Sequence, residues 1–168
     1  YRMCVYVILK HKLSGKEFTV MNTHFGFGDK CQVDSAKLIY DYSQKVSSNG
    51  TFVVGDFNMT PDSVGYATMS KNFRDVNAYT AKDLITTYHN YQPEIVKDQH
   101  IDYCFIDEKI VPINQKVIKD KIDGATLYSI VFWPKAANKD DSYIIAKQGS
   151  RVYEQNPLLD KDFLRELD

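Results

Sequence analysis

The sequence predicts one α/β or α+β domain built on a mixed sheet. Three observations point there. Short β-branched and aromatic runs recur along the chain, one stretch repeats apolar residues at helical spacing, and hairpin-like links alternate with longer crossovers. At 168 residues the chain is long enough for a single domain with a sizeable core. Its 43% hydrophobic and 26% charged residues are an ordinary globular balance, which argues against a fibrous or disordered chain.

Each element follows from local composition. Arg2 to Lys10 reads as a strand, "HKLSGKE" as a turn around Ser14-Gly15, and Glu17 to Thr23 as the second strand of a hairpin. "FGFGDK" is a glycine-bearing loop. From Gln32 to Val46, residues Val33, Ala36, Ile39, Tyr40, Ser43 and Val46 fall near helical spacing, and Ser47-Ser48-Asn49-Gly50 stops that helix. Thr51 to Val54 is continuously β-branched or aromatic, as in a strand buried on both faces, with Gly55 ending the run. Thr60-Pro61 reads as an N-cap followed by proline at the first helical position, so a short helix is expected from Pro61 to about Met69. "NFRDVN" is a connector, and "DLITTYHNYQP" a loop with a short strand. Ile101 to Ile106 and "INQKVIKD" are two more strands.

Beyond Gly124 the pattern is less legible. "LYSIVFW" and "YIIAK" read as strands around the polar turn "PKAANKDD", and a short acidic helix is expected from Pro157. This divides the chain into a domain at 1–124 and a divergent tail at 125–168.

Charge and cysteines narrow the function. A net charge of −1 gives no electrostatic case for strong nucleic-acid binding. No apolar run approaches the roughly 20 residues that span a bilayer, so the chain is expected to be soluble and cytoplasmic. Cys4, Cys31 and Cys104 are too scattered for a metal pair or a disulfide framework, and Cys4 and Cys104 read as small core residues. The chain opens at Tyr1, just ahead of a strand-like run, as a piece of something longer, or a chain that starts after a cleaved segment, is expected to do.

Three strand ends carry polar residues. Alternation puts Val20, Asn22 and His24 on one face of the second strand. In "TFVVGDFNMTP", Asp56 and Asn58 lie two apart and share a side in extended backbone. Asp102 sits at the start of an apolar strand, where a desolvated carboxylate needs a partner such as His. Each placement also has a structural reading, because Asp and Asn favour turns wherever strands end.

The runs "MNTHF", "VVGDFNMTPDS", "TTYH" and "HIDYCFI", in this order and spacing, resemble the endonuclease/exonuclease/phosphatase superfamily over about Glu17 to Gly124. The resemblance implies a deoxyribonuclease I-like β-sandwich with flanking helices and a divalent-metal-dependent phosphoesterase. Members cut DNA or RNA, trim poly(A), or hydrolyse inositol phosphates or sphingomyelin. It implies that Asp56 orients or deprotonates the attacking water, that Asn58 and His24 donate to a phosphoryl oxygen, and that Asn22 supports them. It implies Mg²⁺ or Mn²⁺ held in part, and weakly, by Asp56 and Asn58. Asp102 resembles the acid that orients a catalytic His, and His89 borders the substrate cleft, a solvated loop His being the plain alternative.

Two family features have no counterpart. The family's metal-binding Glu belongs to its first half, and the Ser-Asp-His run of its last strand is missing, since no His follows His100. Asp140-Asp141-Ser142 is acidic but lacks the His. The chain therefore reads as the C-terminal half of such an enzyme with its last strand replaced. Three readings follow: a metal-dependent hydrolase of phosphodiesters or phosphomonoesters; a truncated, inactive module; or a half-domain that self-associates or needs an N-terminal half.

Overall fold

A computed structural model describes residues 2–46, 48–80, 86–88, 99–118, 121–122, 125–126 and 129–134. His89, Asp140, Asp141, the "YIIAK" strand and the C-terminal helix lie outside the described residues.

Strands β1 (Cys4–Lys10) and β2 (Glu17–His24) form an antiparallel hairpin, with Cys4 opposite Thr23 and Lys10 opposite Glu17. Helix α1 (Asp29–Lys45) then carries the chain over to β3 (Thr51–Asp56), which lies parallel to β2 and so requires such a crossover. Strand β4 (Arg74–Asp75) forms one edge of the sheet, and β5 (Asp102–Ile106) runs antiparallel to both β3 and β4. The resulting order is β1-β2-β3-β5-β4. Helices α2 (Val64–Met69) and α3 (Val76–Thr80) flank β4 in sequence. Strand β6 (Pro112–Ile118) pairs with β9 (Ser129–Pro134) in a separate two-stranded sheet, and β7 (Lys121–Ile122) with β8 (Ala125–Thr126).

Aromatic packing fixes the first face of the sheet. Met21, Val53, Tyr103 and Phe105 pack against Ala36 and Ile39 of α1 and Met69 of α2. Phe57 is fully buried there and meets Phe25 at 4.8 Å and Phe105 at 5.2 Å between ring centroids, both edge-to-face. On the second face, Phe52, Cys104 and Ile106 pack with Val76 and Ile110. The centre of β3 is thus buried on both sides, as its continuous apolar run predicts.

Several elements differ from the sequence expectation. Helix α1 begins at Asp29, three residues early, because Gly28 takes a positive φ of 86° and turns the chain into the helix. Helix α2 begins at Val64: Ser63 is its cap and its Oγ accepts the Tyr66 N–H at 3.1 Å. Thr60-Pro61 instead opens a turn closed by the Ser63 N–H on the Thr60 carbonyl. The connector "NFRDVN" contains β4 and the start of α3, both too short to leave a periodic signal. Cys4 is exposed rather than core, and so is every residue of β1, an edge strand of the sheet. Of "LYSIVFW", the described residues Ser129 to Trp133 pair with β6 in β9, and Val5, Val7 and Leu9 of β1 are exposed.

Gly55 does not end β3; it lets β3 and β2 approach. Its φ is 151°, and a Cβ there would lie 1.8 Å from the Thr23 carbonyl oxygen. Gly55→Ala is expected to destabilise the fold by about 3 kcal/mol or more. Gly28→Ala, with no atom within 4 Å of the added methyl, should cost about 1–3 kcal/mol from backbone strain alone. Urea unfolding of both variants checks the ranking.

Candidate active site

Strand pairing assembles the site. The parallel register sets His24 beside Asp56, and the antiparallel register sets Asp56 opposite Asp102. Three adjacent strands therefore end with a polar residue in one row. His24 Nε2 stands 3.5 Å from Asp56 Oδ2, with His24 half exposed and Asp56 more enclosed. The strand exits are pinned by backbone: the Phe25 N–H donates to the Asp56 carbonyl at 2.9 Å, and the Phe57 N–H to the Ile101 carbonyl at 2.8 Å.

Asn58 is placed by a local turn. Its φ of 48° is left-handed, a conformation that asparagine tolerates better than most residues. The turn brings its N–H back onto Asp56 Oδ1 at 2.9 Å. Its side-chain Nδ2 donates to the Phe25 carbonyl at 2.8 Å, and Gln32 Nε2 donates to the Asn58 carbonyl at 2.6 Å. One amide hydrogen is thus committed to the scaffold, leaving the other and Oδ1 for a ligand.

Asp102 is held by a residue the motifs did not single out. Thr87 Oγ1 accepts the N–H groups of Ile101 at 3.0 Å and Asp102 at 3.1 Å, and its hydroxyl bonds the Asp102 carboxyl. Burial, and then the neighbouring Asp56 charge, push the Asp102 carboxyl up to about 7, while the Thr87 bond opposes the rise. A threonine in an irregular segment carries no sequence signal for this role. Gln32 was likewise read only as the start of a helix.

His24, Asp56, Asn58 and Asp102 are brought together. Asn22 shares the face of His24 but is exposed one residue pair back along β2, and no hydrogen bond joins it to the cluster among the described residues. His24, Asp56 and Asn58 line an open cleft of about 540 Å³, within the size range of small-ligand sites. The first residue of α1 also borders it, adding the partial positive charge of a helix start, offset by Asp29 itself.

The chain is similar to an endonuclease/exonuclease/phosphatase from Bacteroides vulgatus at 25% identity and a TM-score of 0.66, over 73% of this chain and 50% of that one. It is similar to a mannosyl-6-phosphatase from Bacteroides thetaiotaomicron at 25% identity and a TM-score of 0.64, over 76% of this chain and 52% of that one. A family protein from the same organism, 24% identical with a TM-score of 0.66, shares the fold. No protein-family model matches the sequence, and no curated protein does. The mixed sheet with its helices is a deoxyribonuclease I-like α/β fold, and the solved structures it resembles include endonuclease/exonuclease/phosphatase family proteins. The chain spans about half the length of the solved structures it matches.

The Asp102 environment makes a test. A carboxyl raised from 3.8 to about 7 keeps its proton in the folded chain where the unfolded chain has lost it. Between those values folding binds protons, so stability falls as pH rises. Asp102→Asn removes that slope. Thermal melts across the window should show the variant gaining on the wild type as pH rises, most of all near neutrality.

Proposed function

We infer that the chain carries part of the active site of a divalent-metal-dependent phosphoesterase. The observation that carries the reading is the row His24–Asp56–Asp102 across three adjacent strands, with Asn58 tied back onto Asp56.

The donors suit a hard cation in part. Among the described residues no group of three His, Cys, Asp or Glu side chains is poised to hold a metal. Magnesium, however, is commonly held by one or two carboxylates, with water and substrate phosphate supplying the rest. The Asp56 carboxylate and the Asn58 amide oxygen are such donors, and Asp102 faces Asp56. A bound cation would supply charge against the phosphoryl oxygens.

The chain's own groups divide the remaining work. Asp56 Oδ2 is the acceptor that would orient or deprotonate a water, since Oδ1 is occupied by the Asn58 N–H. His24 and the second amide hydrogen of Asn58 would donate to a phosphoryl oxygen as negative charge grows on it. Asp102, raised toward 7 by burial and by Asp56, is a group that can hold a proton at neutral pH beside Asp56.

A second reading, an inactive module or a half-domain completed by a partner, is supported by the partial donor set and the exposed β1 edge. Two measurements decide between them. Calorimetric titration with Mn²⁺ should give weak binding, with a dissociation constant above micromolar, because too few protein oxygens are available. Turnover of bis-p-nitrophenyl phosphate and p-nitrophenyl phosphate should be slow, dependent on Mg²⁺ or Mn²⁺, and reduced about 100-fold or more in Asp56→Ala. Turnover that survives Asp56→Ala, or that needs no metal, removes the phosphoesterase reading. Turnover absent from the wild type favours the module.

A further inference from the structure

The cleft has aromatic walls that the phosphoesterase reading does not use. Phe27 stands at the exit of β2 and is 76% exposed, held out between Gly26 and Gly28. Tyr88, bridged to Gln99 just ahead of β5, is exposed on the other flank. Strand β3 and Asp56 lie between these two flanks, because the sheet order is β2-β3-β5. Both rings border the same cleft as His24, Asp56 and Asn58.

The Phe27 ring is not simply a stray apolar residue. Arg2 places its guanidinium carbon 5.9 Å from the ring centroid, at the outer range of a cation–π contact. Arg2 Nη1 also lies 3.1 and 3.2 Å from the two ring nitrogens of His24. The in-plane point equidistant from both nitrogens would collide with the carbon between them. The guanidinium must therefore stand over the imidazole face. It ties Phe27 to the catalytic row and leaves the in-plane edge of His24 toward Asp56.

Part of the polar lining is already committed. Gln32 donates to the Asn58 carbonyl, Ser63 caps α2, and Thr60 bonds Asp62. A polyhydroxylated sugar would need several uncommitted hydrogen-bond partners, whereas a flat base needs a ring face. The size of the cleft and the net charge of the chain suit a short single-stranded or mononucleotide ligand, not a long duplex.

We propose that Phe27, backed by Arg2 and faced across the cleft by Tyr88, is a stacking subsite for the nucleobase of a nucleotide phosphoester. This rests on the phosphoesterase reading for the placement of the phosphate at His24 and Asn58. The subsite itself is a binding claim and stands or falls apart from turnover.

The test titrates the full chain with adenosine 5′-monophosphate, mannose 6-phosphate and inorganic phosphate, following amide and side-chain shifts by NMR. The nucleotide should bind about tenfold or more tightly than either of the others, the range expected for one stacked base. Phe27→Ala should erase that excess and leave inorganic phosphate binding as it was. Phe27→Trp should restore it, and Tyr88→Ala should reduce it. Lys45→Gln, at the far end of α1, controls for general charge and should change nothing. Nucleotide binding no tighter than phosphate, a Phe27→Ala variant that keeps the excess, or a preference for the sugar phosphate each overturns the subsite. Base-dependent binding in a chain without metal-dependent turnover upholds the subsite and removes the catalytic reading; turnover without base preference does the reverse.

Discussion

The site depends on how closely β2 and β3 approach each other at Gly55. A parallel pair holds its register only if nothing forces the backbones apart, and the Thr23 carbonyl occupies the place a side chain at position 55 would take. That register sets His24 beside Asp56, and β5 on the other side then brings Asp102 opposite Asp56. Three polar residues far apart in sequence become one row because three strands stop at the same height.

That row concentrates like charge in a poorly solvated place. Asp102 is raised because burial disfavours its anion and Asp56 adds repulsion. The scaffold limits the cost with local bonds: the Thr87 hydroxyl on Asp102, and the Asn58 N–H on Asp56. Nearby, Gln32 and the Phe25 carbonyl orient Asn58 from α1 and from the exit of β2. Most of these bonds are to backbone, so the positions of the reactive groups are tied to the fold itself. Phe57, directly between Asp56 and Asn58, buries its ring among Phe25, Tyr103 and Phe105 and anchors the turn from below.

Packing is uneven across the sheet. The β3–β5 centre is covered on both faces, while β1 is exposed along its whole length. A strand of the composition "CVYVILK" would be expected inside a core, yet here it is an exposed apolar edge. The polar row lies on the second face of the sheet, because His24, Asp56 and Asp102 alternate with the buried residues of the first.

The sequence by itself determined the elements with strong periodicity and the polar residue types at the strand ends. The continuous apolar run of β3, the helical spacing of α1 and the alternation that sets Asn22 and His24 on one face of β2 are local patterns, whereas Asn58 meets Asp56 through a left-handed turn and not through strand alternation. Tertiary structure decided what those patterns could not. The start of α2 went to Ser63 rather than to Thr60-Pro61, because a hydroxyl reached the Tyr66 N–H. Gly55 proved to be a contact rather than a stop, because its neighbour is a carbonyl 32 residues away in sequence. Thr87, Gln32 and Arg2 joined the site through bonds and contacts across long stretches of chain, which no local spacing encodes. Local chemistry names the candidates; only strand register, with its dependence on distant backbone, sets which of them meet.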